Sequence, residues 1–480
     1  MNPLGGLVRS ATIRGTGDIE GDGVGQNFIA VERDQVFLLP VSVRDWLPPD
    51  DLVWFVLDAV DGLDLAPLRA RYRADGRGAA AYDPAMMTAV LLYAYATGER
   101  SSRAIERRCR REIPYRVITG TGIPDHTTIA RFRADHETAL AGLFGDVLRL
   151  CARAGLGRLG LVALDGTKVA ANASPKADRD AAWLDAEIAR MLGEARATDA
   201  AEDAAEGAGR GPDDPAGGLP ASLADPRARL ARLREARPQL AEEEAAREAD
   251  VQARLAARAA REAATGRRVG SRPPRADAVR RRSWRQRNTT DPESRRMRSG
   301  QGAWIIGYNA QAAVAKDGIV LASAVTQQAG DVDQLAPMLA VTSVNIGRAG
   351  MRGFLGTLLA DGGYRSERNL ALEGPGTPRL LIPEATTKRR TPTSTRPRLP
   401  LGERMSRRLA RPEARAAYRR RQCIVEPVFG HVKEVLRFRR FSRRGLTACA
   451  SEWSLVCTAH NLLKLWRHDR ILNLLGARST

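Results

Sequence analysis

Five short apolar runs, each about as long as a β-strand, constrain the fold of this 480-residue chain more than any other feature. The Lys316-Asp317-Gly318 turn between two of them is typical of a β-hairpin, and a helical pattern follows over residues 331–346. Strands that alternate with helices in this way form a layered α/β core around a mixed sheet, so we predict an α/β fold. The predicted strands are residues 160–169, 304–314, 319–325, 354–361 and 380–383.

The sequence ahead of these runs has a helical pattern. Residues 1–40 are rich in Gly and polar residues, so we expect a flexible arm, whereas residues 41–155 carry repeated helix starts. Asp125 is a good N-cap for a helix that follows a Gly-bearing turn, which is the arrangement of a helix-turn-helix. Such a unit either contacts DNA or only packs. On the first alternative, the side chains that contact DNA are Thr128, Arg131 and Arg133.

A long segment of different composition interrupts the α/β pattern of residues 156–470. Residues 175–288 consist mostly of Ala, Arg and Glu, with few large apolar side chains and a Gly- and Pro-rich break at 207–220. High helix propensity without an apolar stripe is typical of exposed helices, so we predict a helical insertion that is partly disordered. Residues 384–412 are rich in Thr, Pro and Arg and are predicted to form a loop.

The chain is strongly basic, with a formal net charge of +20 and a pI of about 10.6. Residues 404–444 alone hold fourteen Lys and Arg against three Glu. A positive field of this density attracts a polyanion, so we expect nucleic acid and not a small acidic substrate. The basic runs 280–287 and 437–444 are either solvated arms or phosphate contacts, and we favour phosphate contacts.

Three acidic residues stand out because of where they fall in this pattern. Asp165 and Asp361 lie at the ends of apolar runs, and Glu426 lies in the basic segment. Each has an ordinary alternative, because Asp-Gly is a common turn and a lone Glu is often a helix cap or an ion-pair partner. Carboxylates gathered at the ends of neighbouring strands are suited to hold two Mg²⁺ ions, about 4 Å apart, for phosphodiester chemistry. Asp331 and Asp333 are better interpreted as helix caps.

The segment around Glu426 has the periodicity of an amphipathic helix. Pro427 disfavours a helical conformation at the residue before it, so we predict Glu426 at the N-cap of this helix and not inside it. The polar face then carries Glu426, Gly430, Lys433 and Arg437 at spacings of four, three and four residues. The apolar face is formed by Val425, Val428, Phe429, Val432, Val435 and Leu436.

Five motifs in this order resemble those of the DDE transposases of bacterial insertion sequences, a family with a ribonuclease-H-like catalytic domain. There is one departure from the family's Tyr-two-Arg-three-Glu-six-Lys signature: four residues separate Arg421 from Glu426, which bears on the roles of Tyr418 and Arg421. Two of the motifs are residues 124–133 and residues 290–295 with 307–311. The other three are Leu164-Asp165-Gly166-Thr167-Lys168 with residues 171–174, Ala360-Asp361-Gly362-Gly363-Tyr364, and Val425-Glu426-Pro427-Val428-Phe429-Gly430-His431-Val432-Lys433.

The resemblance implies a transposase that binds the terminal inverted repeats of its insertion sequence, cleaves DNA and transfers strands. It implies Asp165, Asp361 and Glu426 as catalytic and metal-binding residues, with two Mg²⁺ ions that Mn²⁺ can replace. Its partner is double-stranded DNA, both transposon ends and target, bound by a homodimer. Two alternatives stay open: a catalytically inactive DNA-binding protein and a purely hydrolytic nuclease of the same fold. Near the acids, the side chains expected to contact DNA are Lys168, Arg421, Lys433, Arg437 and Arg440.

The remaining features indicate the setting in which the protein works. Five scattered cysteines without a CxxC pair indicate reduced thiols and argue against a disulfide framework or a zinc site. The sequence has no apolar run long enough to span a membrane and no signal pattern, so we expect a cytoplasmic protein associated with the nucleoid. His126 and His431 are expected to be structural or to face phosphate, because no second ligand lies at metal-binding spacing.

Overall fold

The computed structural model describes most of the chain. The predicted arm at 1–40, the break at 207–220 and most of the basic run 280–287 lie outside the described residues. The chain divides into Met1–Asp45 and Trp46–Thr480, and the elements below belong to the second unit. The described residues are 42–72, 81–120, 122–204, 225–266, 268, 286–300, 302–384 and 400–476.

Seven described helices precede the sheet and confirm the predicted N-terminal helical region. Four of them begin at a side chain that accepts a hydrogen bond from an amide two or three residues ahead, namely Asp51, Asp83, Ser101 and Asp125. The fifth ends at Gly120 in the left-handed region (φ 56°), which glycine adopts without strain. The helices are α1 (Leu52–Asp61), α2 (Ala66–Arg69), α3 (Pro84–Ala96), α4 (Ser102–Arg111), α5 (Ile113–Thr119), α6 (His126–Asp135) and α7 (Glu137–Arg153).

Eight strands follow, and six of them form one mixed sheet, which confirms the predicted α/β class. The strands are β1 (Leu161–Ala170), β2 (Asp178–Asp180), β3 (Gln286–Asn288), β4 (Arg295–Arg298), β5 (Trp304–Ala315), β6 (Val320–Thr326), β7 (Thr357–Ala360) and β8 (Arg379–Leu381). Central β1 pairs antiparallel with β5 and parallel with β7, and β7 pairs parallel with β8. Both β4 and β6 pair antiparallel with β5, and β5 and β6 form the predicted hairpin.

Helices that follow the first strand complete the core. They are α8 (Ala181–Ala204), α9 (Pro226–Thr265), α10 (Leu335–Arg348), α11 (Glu367–Leu370), α12 (Pro400–Ala410), α13 (Pro412–Gly430) and α14 (Leu446–Gly476). α13 packs on β1, β5 and β7, whereas α14 packs between α7 and β6. Trp453 of α14 is buried, and its indole N–H donates a hydrogen bond of 2.9 Å to the carbonyl of Gln311 on β5. The N-terminal helices and the sheet are therefore joined through α14.

The insertion has a small core of its own. Leu184 of α8 packs against Leu233, Ala236 and Leu240 of α9, so the prediction of a helical insertion without an apolar stripe missed this contact. Ion pairs then attach α9 to the sheet, because Glu243 accepts from Arg287 at 2.6 Å and from Arg295 at 2.5 Å. Arg287 is 2% exposed and paired in this way, so the prediction that it contacts phosphate is wrong for this member of the basic run.

Two predictions around the basic segment are corrected. Residues 400–410 of the predicted loop form α12, with Pro400 at its first position and Met405 buried. Glu426 lies inside α13 and not at its N-cap, because the helix continues through Pro427 to Gly430. Burial of the apolar face favours this continuous helix. The proline removes one helical hydrogen bond, to the carbonyl of Cys423, on a side of the helix where Cys423, Glu426 and Pro427 are all exposed.

Candidate active site

Two aspartates lie side by side because neighbouring strands carry them at the same level. Leu164 on β1 lies opposite Ala360 on β7 in parallel register, so Asp165 and Asp361 are the next residues along the chain. Asp361 follows the last residue of β7, and its Oδ1 accepts a hydrogen bond of 2.8 Å from the amide of Gly363. The sheet therefore brings the two carboxylates together, while their catalytic role stays a prediction.

Asp165 is a largely buried carboxylate on which opposing effects act. Burial raises its pKa above the ordinary value; the Arg421 guanidinium opposes the rise and the negative charge of Asp361 adds to it. Its Oδ2 accepts a hydrogen bond of 2.9 Å from Arg421, and its Oδ1 accepts one of 2.9 Å from the amide of Gly166. A cation from a helix distant in sequence thus favours the charged form of Asp165.

Helix α13 supplies that cation together with a phenol. Burial lowers the pKa of Arg421, but the nearby Asp165, Tyr418 and Asp361 together outweigh this effect, and the pKa is raised. Burial raises the pKa of Tyr418, and the neighbouring Arg421 guanidinium opposes the rise. The additional residue between Arg421 and Glu426 therefore does not remove Tyr418 and Arg421 from the site.

Glu426 lies five residues beyond Arg421 on α13 and is exposed. Among the described residues, Glu426 has no hydrogen bond or ion pair. Within the described residues, Glu426 does not form with Asp165 and Asp361 a group that could hold a metal ion. The role of Glu426 as the third catalytic acid stays a prediction.

Lys433 belongs to the π-helical turn His431–Val435 that continues α13. Burial lowers its pKa, with a smaller contribution from Arg439, and the attraction of Asp165 opposes the shift. Turns of this type recur at functional sites because they redirect side chains. Lys433 therefore lies in the electrostatic field of Asp165.

A fourth acid, Asp331, lies beside the pair, although the sequence indicated a helix cap. Its side chain makes no cap bond. Instead, its Oδ1 accepts hydrogen bonds from Lys168 at 3.0 Å, Asn309 at 2.7 Å and Gln311 at 2.9 Å. The signal in the sequence is the spacing of Asn309 and Gln311. Residues two apart on a strand face the same side, and buried side-chain amides require hydrogen-bond partners, so an acceptor such as Asp331 was to be expected there.

Close approach explains two glycines in the aspartate motifs. A Cβ at Gly166 would lie 2.2 Å from the amide nitrogen of Gln311 and 2.8 Å from Oδ1 of Asp331. A Cβ at Gly363 would lie 2.9 Å from Oδ1 of Asp361 and 3.7 Å from Oδ2 of Asp331. Asp331 therefore packs against the backbone of both motifs and is a close neighbour of the Asp361 carboxylate.

The oxygen donors of Asp165 and Asp361 are of the type that a hard cation prefers. Mg²⁺ is usually bound by one or two carboxylates, with water and substrate phosphate as the other ligands. Within the part of the chain that the structure describes, no group of three acidic, His or Cys side chains lies close enough to hold a metal ion. The pair therefore fits a metal that substrate phosphate helps to bind, and the two-ion site stays a prediction.

The predicted recognition helix α6 offers few groups to DNA. Asp125 caps it as expected, but the hydroxyl of Thr128 donates back to Asp125 at 2.6 Å. Arg133 is 7% exposed, and it donates to the carbonyl of Arg100 at 2.7 Å and to the hydroxyl of Ser102. The structure therefore contradicts DNA contact by Arg133, because burial and internal hydrogen bonds occupy its guanidinium. Among the predicted contacts of this helix, the exposed one is Arg131.

The basic residues near the acids fall into two groups. Lys168 is 12% exposed and paired with Asp331, so it faces the internal network and not an open surface, contrary to the prediction. Arg437 and Arg440 are exposed. Arg437 follows the π-helical turn with φ 52°, so the prediction that it shares a helix face with Glu426 is wrong.

Of the two predicted roles of the histidines, structural or facing phosphate, their contacts favour the structural one. Nδ1 of His431 lies 3.1 Å from Nδ1 of His460, and Nε2 of His460 lies 2.9 Å from the carbonyl of Gly318. Burial lowers the pKa of His431 to about 4 and that of His460 to about 3. His126 instead contacts Glu106 at 2.9 Å near the start of α6. All five cysteines are free thiols, as predicted.

Two family models match the chain. One, described as a transposase domain (DUF772), matches residues 41–135, which hold α1 to α6. The other, described as a transposase DDE domain, matches residues 384–466, which hold the Glu426 segment. Both matches support an insertion-sequence DDE transposase. No significant match was found among curated proteins or solved structures.

The two matches place this transposase's family features at both ends of the described fold. The first covers the N-terminal helical region, and the second covers α13, which lies on β1 and β7. Among the described helices of the transposase, none is long and apolar enough to cross a membrane.

Proposed function

We propose that this transposase binds the terminal inverted repeats of its insertion sequence, cleaves the DNA with divalent metal, and joins the freed 3′ end to target DNA. One observation carries the proposal. Asp165 on β1 and Asp361, the residue after β7, lie at the same level of two adjacent parallel strands. Helix α13, which carries Arg421 and Glu426, packs on these strands, and the π-helical turn that carries Lys433 continues it. Carboxylates beside cations suit a site in which metal and phosphate bind together.

The residues of the chain have separate tasks in this proposal. Asp165 and Asp361 would hold Mg²⁺, or Mn²⁺ in its place, and Glu426 would complete a second ion site. Bound metal would activate the attacking water or 3′-hydroxyl and stabilise the leaving oxygen. Arg421 orients Asp165 through its 2.9 Å hydrogen bond, and Lys433 adds positive charge where the phosphate charge gathers.

A cleavage assay on duplex DNA that contains the element's end tests this proposal. We expect Asp361→Asn to lower the rate by at least about a hundredfold, because a neutral amide binds a divalent metal much more weakly than a carboxylate does. The matched control is Asp333→Asn, an acid with a 55% exposed side chain outside the site, which should leave the rate within about twofold. Full activity in Asp361→Asn would refute the assignment of Asp361 as a catalytic residue.

The products of the same assay separate the alternatives. A transposase yields joined products when target DNA is added, whereas a hydrolytic nuclease of the same fold yields cut ends alone. A catalytically inactive binding protein yields neither, while it still shifts the mobility of the end DNA. Labelled 3′ ends that appear in target-length DNA therefore support strand transfer, and cut ends without joining support the nuclease.

The assembly and domain division follow from the same proposal. Two ends must meet before joining, so we propose a homodimer on DNA, acting at the nucleoid. We also propose that residues 41–155 and 156–470 are separate functional regions, with 175–288 as an insertion in the second. Light scattering on the complex with end DNA tests the assembly, and a mass of one protomer per DNA end without pairing would contradict it.

A further inference from the structure

Helix α4 presents an arginine face that has no partner within the described protein. Ile105 and Cys109 are buried, and Arg103, Arg107 and Arg111 lie on the opposite side, exposed and four residues apart. None of these three arginines has a hydrogen bond or ion pair with another described residue. Successive members are about 6 Å apart along the helix axis.

The other arginines of this helix show that the pattern is not general. Arg108 lies 3.1 Å from Glu112, and Arg110 lies 2.9 Å from Glu106. Acids in and next to α4 therefore pair with its other arginines, whereas the three outward arginines form no ion pair with a described residue. Only the outward-facing arginines of α4 are therefore unpaired, so their positive charge can attract an anionic partner.

The loop before α4 joins this face to the basic segment beside the acids. Arg100 donates hydrogen bonds of 2.7 Å to the carbonyl of Leu436 and 2.8 Å to the carbonyl of Arg437. Its guanidinium also lies 5.1 Å from the ring centre of Phe438. Gly98 is required here, because a Cβ would lie 3.2 Å from the carbonyl of Val435 and the residue has φ 80°. The start of α4 is therefore attached to the segment that follows Lys433.

We infer that the arginine face of α4, formed by Arg103, Arg107 and Arg111, binds the phosphate backbone of the DNA duplex whose scissile bond lies at Asp165 and Asp361. The inference rests on the proposed function and goes further, because it locates the DNA surface on α4 and not on the predicted recognition helix α6. The contacts are to phosphate, so they position the duplex without reading its sequence.

A second arginine cluster provides a matched control. Arg158, Arg348 and Arg352 are also exposed, and they line a cavity of about 790 Å³. Arg158 precedes β1 and Arg352 precedes β7, whereas Asp361 follows the end of β7. This cluster is therefore at the opposite end of the parallel strands from the acids, and its removal lowers the net charge by the same amount.

The test compares two triple variants by fluorescence anisotropy on labelled end duplex at several salt concentrations. One variant carries R103Q, R107Q and R111Q, and the other carries R158Q, R348Q and R352Q; Gln maintains helix propensity. We expect the α4 variant to bind roughly 10- to 100-fold more weakly near physiological salt, with a salt slope smaller by about three. The control variant should lose less than about threefold, with a slope within about one of wild type.

Each outcome decides the inference. Equal losses in the two variants would mean that net charge alone matters, and an unchanged slope in the α4 variant would mean that its arginines contact no phosphate; either overturns the proposal. Thermal melting by circular dichroism checks folding. If the triple variant is unfolded, the single variants R103Q and R107Q replace it, each with an expected slope decrease of about one.

Asp361→Asn separates this inference from the proposed function. If wild-type protein binds and cuts end DNA, Asp361→Asn binds without cutting, and the α4 variant binds as wild type does, the inference fails and the proposed function stands. If wild-type protein does not cut end DNA at any salt concentration, the proposed function fails, whereas the binding measurements on the two triple variants still decide the inference about α4.

Discussion

Asp331→Asn is the most informative single substitution at the base of the site. The Oδ1 atom of Asp331 accepts hydrogen bonds from Lys168, Asn309 and Gln311, and Lys168 is only 12% exposed. The amide retains the size of the carboxylate and removes its charge. An ammonium that is almost buried then loses its counterion, which is the costly way to break such a pair.

The expected loss of stability is worked from this pair. Two unit charges about 4 Å apart attract by about 4 kcal/mol at an effective dielectric constant of about 20. Desolvation offsets part of this attraction, so we expect Asp331→Asn to lower the free energy of unfolding by about 2–3 kcal/mol. Urea denaturation followed by tryptophan fluorescence measures it, because Trp453 is buried and bonded to the carbonyl of Gln311.

A double-mutant cycle makes the reasoning refutable. Lys168→Met removes the cation. Asp331→Asn should therefore lower the free energy of unfolding by less in the Lys168→Met background than in the wild type, with a coupling energy of about 1–2 kcal/mol. Asp333→Asn, two residues away and exposed, should change stability by less than about 0.5 kcal/mol. Strict additivity of Asp331→Asn and Lys168→Met would refute the claim that the pair acts as a unit.

Three further predictions concern the site and its supports. Arg421→Gln removes the cation that opposes the raised pKa of Asp165, so the acidic limb of the pH–rate profile should move to higher pH; an unmoved limb contradicts this. Gly166→Ala places a methyl 2.2 Å from a side-chain amide, so unfolding should become easier by about 2 kcal/mol or more in urea titrations, unlike Gly142→Ala, where the space is open. The pKa values of His431 and His460 are depressed from 6.5, so the unfolded chain binds more protons and stability should fall as pH drops from about 6.5 to about 4; equal unfolding midpoints at pH 7 and pH 4.5 would exclude this.

Features that depend on local pattern were accessible from the sequence. The apolar runs that end on Asp165 and Asp361 identify strands because continuous apolar residues of strand length are buried on both faces. The cap at Asp125 is equally local, since its carboxylate and the amides that donate to it lie within one turn. The match of both family models agrees with the predicted family.

Features that depend on distant packing were not accessible. The preference against a helix at Glu426 is local and weak, and burial of Val425 and Val428 on the sheet overrides it. The role of Asp331 requires the amides of β5 to lie opposite Gly166, which only the sheet register fixes. The burial of the Arg133 guanidinium likewise depends on a segment some thirty residues away, because its hydrogen-bond acceptors are Arg100 and Ser102.

The pairing of β1 with β5 carries an entropic cost for folding. These strands are hydrogen-bonded neighbours although residues 171–303 separate them, so closing the loop between them costs chain entropy. The pairing of β2 with β3 brings Asp178 opposite Asn288, and the contact of α8 with α9 holds together the two helices that lie between these strands in sequence. If the insertion folds first, the two ends of the sheet arrive already close together. Leu233→Ala, which weakens the insertion core, should then slow refolding of the sheet as well as unfold the insertion, and an unchanged refolding rate would show that the sheet forms without this assistance.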